Sequence, residues 1–86
     1  MGRVDIISIN GVELIFYSND HDPPHFHAKK AGEWEYKVHF MKAEKQMLEM
    51  LWENKSMKGS LRRELVEMVA SNRRVLLAEW EAKVSQ

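Results

Sequence analysis

The sequence predicts an α+β fold: a small antiparallel sheet of four or five strands packed against one long or two short C-terminal helices. Three observations support this prediction. Asn10-Gly11 lies between two stretches rich in β-branched and aromatic residues, which is typical of a hairpin. Residues 34–40 alternate strictly between apolar and polar side chains, as in a half-buried strand. Beyond residue 60, the apolar residues follow helical spacing.

Length and composition limit the classes of protein that fit. The chain has 86 residues, so we expect one domain over residues 1–86. It has no cysteine, which excludes disulfides and thiolate metal sites. Lys plus Arg number 13 and Asp plus Glu also number 13, whereas dedicated nucleic-acid binders are usually basic. Because there is no signal peptide pattern and no run long enough to span a bilayer, we expect a cytoplasmic protein with no membrane partner.

The N-terminal hairpin is expected to contain strands at residues 4–9 and 12–17. Asn10 and Gly11 would join them in a type I′ turn, which requires positive φ at both positions. Residues 18–24 then form a loop. The proline pair that ends the loop restricts the residue before each proline to extended geometry, so it provides a stiff lead-in to the next strand.

A second hairpin joins residues 25–30 to residues 34–40 through a three-residue loop. This register pairs Lys30 with Trp34, Ala28 with Tyr36 and Phe26 with Val38. A two-residue loop would instead mix apolar and polar side chains on each face. Because a sheet with one buried face specifies its register strongly, we expect the three-residue loop.

Residues 41–58 carry two conflicting signals. Local propensity favours a helix, whereas alternation at Leu48, Met50 and Trp52 favours a strand that returns along the second hairpin. We expect a strand at residues 47–52. The segment is also rich in methionine, which favours core filling over an adaptable partner-binding surface.

The C-terminal part is expected to be helical. Gly59-Ser60 would open the helix with Ser60 as N-cap, and Glu64 in the first turn would suit the helix dipole. Asn72 marks a position where the helix could break into two. One apolar stripe would face the sheet: Leu61, Leu65, Met68, Val69, Leu76 and Trp80.

Two segments carry a family resemblance. "NDHDPPHFHA" (residues 19–28) and "LLAEWE" (residues 76–81) resemble a bacterial family catalogued as domain of unknown function 4160. The resemblance implies a compact α+β domain. It also implies a partner, a small protein encoded by a neighbouring gene, in an arrangement similar to a toxin–antitoxin pair. It implies no catalytic residue.

The histidines of the second hairpin form the candidate functional site. His25 and His27 are two residues apart on a strand, so both side chains point to the same face. The expected register places His39 opposite His25, with Cβ atoms about 4.5–5.5 Å apart. Asp20 and Asp22 lie in the adjoining loop and could fold over the three imidazoles.

One hypothesis is a metal site. The three imidazoles and a carboxylate from Asp20 or Asp22 would suit zinc or another divalent transition ion. However, Lys29 and Lys37 lie on the same face, and their charges would repel a cation.

Another hypothesis is metal-free cleavage of RNA. His25 and His27, with His39 beside them, could act as general base and general acid near neutral pH. Lys37 could stabilise the negative charge that develops on phosphate. RNA supplies its own 2′-hydroxyl nucleophile, so this chemistry would suit the effector of a toxin–antitoxin-like gene pair.

A further interpretation is non-enzymatic. One face of a small open sheet often faces water and is polar. The histidines would then be structural, and the chain would be a regulatory or protein-binding module. The sequence leaves open whether the protein is an enzyme.

Overall fold

The fold is built on one antiparallel sheet whose five strands lie side by side in chain order. The computed structural model describes residues 2–19 and 21–84. The strands are β1 (Gly2–Arg3), β2 (Glu13–Phe16), β3 (Phe26–Lys30), β4 (Trp34–Val38) and β5 (Leu48–Glu53). A short 3₁₀ helix (Glu44–Gln46) precedes β5, and two helices follow it: α1 (Gly59–Ala70) and α2 (Arg73–Lys83). The predicted α+β class, with five strands and two short helices, is confirmed.

The register of the central hairpin, β3 with β4, is the predicted one. Lys30 lies opposite Trp34, and Phe26 lies opposite Val38. Gly32 in the three-residue loop has a φ of 79°, a conformation that glycine adopts without steric cost. Apolar side chains therefore occupy one face of the hairpin, and polar side chains the other.

The N-terminal hairpin differs from the prediction. Ile9 pairs with Val12 in an isolated bridge, so the two-residue turn lies where expected. Gly11 has a φ of 81°, but no described residue other than glycine has a positive φ, so Asn10 does not adopt the type I′ geometry.

The strand predicted at residues 4–9 was also wrong, because β1 ends at Arg3. The backbone N–H groups of Asp5 and Ile6 donate instead to the two carboxylate oxygens of Glu79 on α2, at 2.8 and 3.0 Å. A helix side chain therefore takes the donors that a sheet ladder would have used.

Strand β5 lies within one residue of the predicted position and forms an edge of the sheet. Met50 pairs with Tyr36, and Trp52 pairs with Glu35. The register shifts between these pairs, which leaves Leu51 as the extra residue of a β-bulge.

The break between the helices and the opening of α1 at Gly59-Ser60 are confirmed, whereas the predicted N-cap was wrong. Lys58 occupies the N-cap position and Ser60 lies inside the first turn, so Ser60 is not the cap and Glu64 lies in the second turn. The side chain of Asn72 donates to the carbonyl of Met68 at 2.7 Å, and α2 begins at the next residue.

The core lies between the helices and the apolar face of the sheet. Phe16 is its centre, with its ring 6.0 Å from Phe26, 6.4 Å from Phe40 and 6.4 Å from Trp80. Every residue of the predicted helical stripe packs in or against this core. In the described part of the chain, neither helix is long and apolar enough to cross a bilayer.

Lys83 attaches the N-terminal segment to α2. Its ammonium donates to the carbonyl of Arg3 and to the carboxylates of Asp5 and Glu79, at 2.7, 2.8 and 2.9 Å. Burial disfavours this charge, but the hydrogen bonds to Asp5 and Glu79 outweigh that effect, so the pKa of Lys83 is raised.

We expect Lys83→Met to lower the free energy of unfolding by about 1–2 kcal/mol, because three hydrogen bonds of a charged group are lost. Urea denaturation measures this. The matched control is Lys55→Met at an exposed position, which should change stability by less than about 0.5 kcal/mol. Equal losses for the two variants would contradict the anchoring role.

Candidate functional site

The structure brings three of the four histidines together. His27 lies on β3, His25 lies just before β3, and His39 lies just after β4. The ring of His25 is 5.4 Å from the ring of His27 and 5.5 Å from that of His39, measured between centroids. We call these three residues the histidine row. The expected offset between the strands therefore does place the imidazoles side by side.

The histidine row is buried, which the sequence did not predict. His25, His27 and His39 are 4%, 7% and 6% exposed. Tyr17 packs the edge of its ring on His27, with centroids 4.6 Å apart. Trp80, from α2, lies 5.7 Å from His25. The row is thus part of the packed interior of the protein.

Each imidazole donates a hydrogen bond to an oxygen of the protein. His25 donates from Nδ1 to the carbonyl of Pro23 at 2.9 Å. His27 donates from Nδ1 to Glu35 at 3.0 Å, and His39 donates from Nε2 to Glu49 at 2.7 Å. A carbonyl or an ionised carboxylate can only accept, so these contacts fix which nitrogen carries a proton.

The second nitrogen of each ring is shielded from solvent. These atoms are Nε2 of His25, Nε2 of His27 and Nδ1 of His39. A general acid or base has to come within hydrogen-bond reach of its substrate. In this conformation the histidine row offers no ring nitrogen to a molecule that arrives from solvent.

The structure describes only part of the predicted metal-ligand set. Asp20 lies outside the described residues, and Asp22 is exposed in the loop, next to the cis Asp22–Pro23 peptide bond. Among residues 2–19 and 21–84, no group of three His, Asp or Glu side chains is placed to hold a metal ion. The zinc site stays a prediction, which calorimetric titration with zinc tests.

Lys37 lies on the polar face of the sheet, opposite His27 on one side and opposite Glu49 on the other. Its charge is one of those that act on the Glu49 carboxylate. Lys37, which the RNA-cleavage hypothesis assigns to phosphate stabilisation, therefore lies beside the carboxylate of Glu49.

A comparison with protein families identifies the chain. The model of DUF4160, a domain of unknown function, matches residues 11–81. The chain belongs to the DUF4160 family. The matched range includes the histidine row, β5 and most of α2. Searches of the curated proteins and of the solved structures found no match.

Two carboxylates of this DUF4160 chain were missed as site residues. The predicted register of the central hairpin implies that Glu35 lies opposite Lys29, and it does, but the Glu35 carboxylate accepts a hydrogen bond from His27. Diagonal neighbours on one face of a sheet are within reach of each other, so the predicted register was enough to predict a contact between Glu35 and His27. The sequence contained no such signal for Glu49, because its cross-strand neighbours depend on the register of β5, a segment in which the sequence signals for helix and strand conflict.

The Glu49–His39 contact predicts a pH dependence of stability in the DUF4160 chain. The hydrogen bond from His39 is the main reason why the pKa of Glu49 is lowered, and the charges of Lys37, His39 and Lys42 add to it against the effect of burial. A carboxyl whose pKa is lower in the folded than in the unfolded protein contributes stability at pH values above its ordinary pKa of 4.5. That contribution is lost as the pH falls through the lowered pKa of the folded protein.

We therefore expect Glu49→Gln to reduce the loss of stability between pH 7 and about pH 3. Urea denaturation at a series of pH values measures the effect. Glu64→Gln, at an exposed helix position, is the control and should follow the wild type. If Glu49→Gln also follows the wild type, the contact with His39 does not stabilise the fold.

A second surface of the DUF4160 chain stands out on β5. Met50, Leu51 and Trp52 are consecutive and are 55%, 42% and 39% exposed. We call them the β5 strip. Met47 and Met57, which flank the strip, are buried, whereas Met50 is exposed. Core filling therefore explains Met47 and Met57 but not Met50.

Surface depressions lie away from the histidine row. One, of about 420 Å³, follows the outer side of α1 between Ser60 and Ser71. Another, of about 410 Å³, lies beside the turn at Gly11. Neither is lined by a histidine, so neither adds a substrate cavity to the row.

Proposed function

We propose that this DUF4160 chain is a non-enzymatic module that binds a partner protein, with the histidine row as a structural part of the fold. The β5 strip is the observation that carries the proposal. It places three large apolar side chains in sequence at an open edge of the sheet. Met50 pairs with Tyr36 and Trp52 pairs with Glu35, so these two side chains extend from opposite faces of the sheet, with Leu51 in the bulge between them. Exposed large apolar residues grouped at an edge mark an interaction site, and an unpaired edge is costly unless it is protected or used.

The composition of the β5 strip suits a protein interface. Tryptophan and methionine are enriched at the buried centres of such interfaces, and tryptophan is common among the residues whose truncation costs most affinity. Trp52 is held in place by a hydrogen bond from its indole N–H to Glu35, at 3.3 Å. A fixed aromatic side chain loses little entropy when a partner covers it.

The histidine row also supports the proposal of a non-enzymatic module. Its rings are buried, and its donors are already used within the protein. The row joins β3, β4 and β5 on the polar face, through Glu35 and Glu49. It therefore stabilises the sheet that presents the β5 strip.

The partner we propose is the small protein encoded by a neighbouring gene in a bacterial genome, met in the cytoplasm. Coexpression with that gene product, followed by affinity purification of the tagged chain, tests this. We expect the two proteins to copurify, and we expect Leu51→Asp to abolish copurification. Val75→Asp, at an exposed apolar position of α2, is the matched control and should retain it. Absence of copurification with the wild type would contradict the proposal.

A second candidate function is an effector that acts on RNA through the histidine row. It is favoured by one observation, the three adjacent imidazoles with the His27–Glu35 pair and Lys37 beside them. It would require an opening of the site that exposes the shielded nitrogens.

Growth on induced expression separates the candidates. The effector function predicts that the wild type arrests growth and that His25→Ala combined with His27→Ala relieves the arrest. His21→Ala, at the exposed fourth histidine, should still arrest growth. Unaffected growth with the wild type would rule out a toxic effector and leave the binding module.

A further inference from the structure

We infer that the β5 edge receives an extended segment of the partner in which lysine or arginine flanks apolar residues, added to the sheet as a sixth strand. This inference deepens the proposed function and rests on it. It assigns both the mode of binding, main-chain pairing along β5, and the chemistry of the segment that pairs.

The backbone of β5 is available for pairing. The strand has six residues and ends the sheet, with β4 on its inner side and no described strand on its outer side. An extended peptide that joins such an edge gains main-chain hydrogen bonds, while alternate side chains provide specificity. The β5 strip would then contact apolar side chains of the added strand.

The charge of β5 indicates what flanks those apolar side chains. The strand LEMLWE contains two glutamates and neither lysine nor arginine. No lysine or arginine of the described residues lies within ion-pair distance of Glu49 or Glu53, although the charges of Lys37 and Lys42 act on Glu49. Glu49 accepts from His39, and Glu53 accepts from the hydroxyls of Tyr36 and Ser56. Both ends of the β5 strip therefore carry carboxylates that a cationic cross-strand neighbour would complement.

A second copy of the chain fits this edge poorly. In an antiparallel pair of β5 strands centred on Leu51, Glu49 of each copy lies opposite Glu53 of the other. Centring the pair on Met50 instead places the two Glu49 residues diagonally across from each other. Like charges in these positions destabilise a strand pair.

Two synthetic peptides of equal length test the inference. In one, lysine residues flank a central run of valine and threonine; in the other, glutamate replaces every lysine. Each carries fluorescein, and binding to the full chain is measured by fluorescence anisotropy. We expect the lysine peptide to bind at least tenfold more tightly than the glutamate peptide. Hydrogen exchange should show added protection of backbone amides in residues 48–53.

Variants locate the interaction. Glu49→Lys should weaken binding of the lysine peptide at least fivefold, whereas Glu64→Lys, the same charge change on the exposed side of α1, should not. Leu51→Asp should abolish binding. Far-UV circular dichroism and thermal melting confirm that each variant is folded, so that loss of binding is not loss of structure.

Three results would overturn the inference: equal binding of the two peptides, equal effects of Glu49→Lys and Glu64→Lys, or protection at amides outside β5. The proposed function survives them if the neighbouring gene product copurifies. Sedimentation experiments supply a further test. A dimer of the wild type that Leu51→Asp dissociates would also overturn the inference, because a second copy of the chain would then occupy the β5 edge.

Discussion

Replacing Trp80 with alanine is expected to reduce the free energy of unfolding by about 3–5 kcal/mol. Trp80 is 3% exposed and joins three parts of the molecule. It lies on α2, contacts Phe16 in the core and contacts His25 in the histidine row. A small domain is stable by only about 5–15 kcal/mol, so the variant loses a large part of the stability of the fold. Urea denaturation followed by circular dichroism measures the loss.

The chain provides its own control for this prediction. Trp52→Ala removes an indole of the same size from the β5 strip, where it is partly exposed. We expect a smaller loss than for Trp80→Ala, because Trp52 is 39% exposed at the surface and its removal leaves no enclosed cavity. If Trp80→Ala and Trp52→Ala reduce the free energy of unfolding by the same amount, α2 is not fixed to the sheet through Trp80.

Replacing His27 with alanine is expected to cost about 1–3 kcal/mol. The change leaves the Glu35 carboxylate, 15% exposed in its side chain, without the donor 3.0 Å away, and removing one partner of a part-buried pair costs the desolvation of the other. It also removes the ring that packs against Tyr17. Thermal and urea denaturation of the purified variant measure the loss.

His21→Ala is the matched control, because His21 is exposed in the loop. It should change stability by less than about 0.5 kcal/mol. A double-mutant cycle of His27→Ala with Glu35→Gln should show coupling between the two side chains. A His27→Ala variant as stable as the wild type would contradict the structural role of the histidine row.

The central hairpin shows how much of the fold the sequence determines. The alternation from Trp34 to Phe40 leaves one register in which apolar residues meet apolar residues, and β3 and β4 adopt that register. The alternation of Leu48 and Met50 located β5 within one residue, but the bulge at Leu51 places Trp52 opposite Glu35 on the polar face, so the predicted alternation ends at Met50. The adjacency of the three imidazoles follows directly from this register.

Other features depend on contacts that a local pattern does not contain. Residues 4–9 look like a strand, but Glu79, more than 70 positions away, binds the backbone of Asp5 and Ile6. Ser60 looks like an N-cap, but α1 begins one residue before it. Alternation places His27 on the polar face, yet its burial depends on Tyr17 and on the long side chains around it.

Imidazole nitrogen NMR tests the central claim most directly: that the histidine row is an internal structural element. In a long-range proton–nitrogen spectrum at neutral pH, the account predicts slowly exchanging protons on Nδ1 of His25, on Nδ1 of His27 and on Nε2 of His39, with rapid exchange only at the exposed His21. If the ring protons of all four histidines exchange rapidly with solvent, the row is open to solvent, and the structural role proposed for it is wrong.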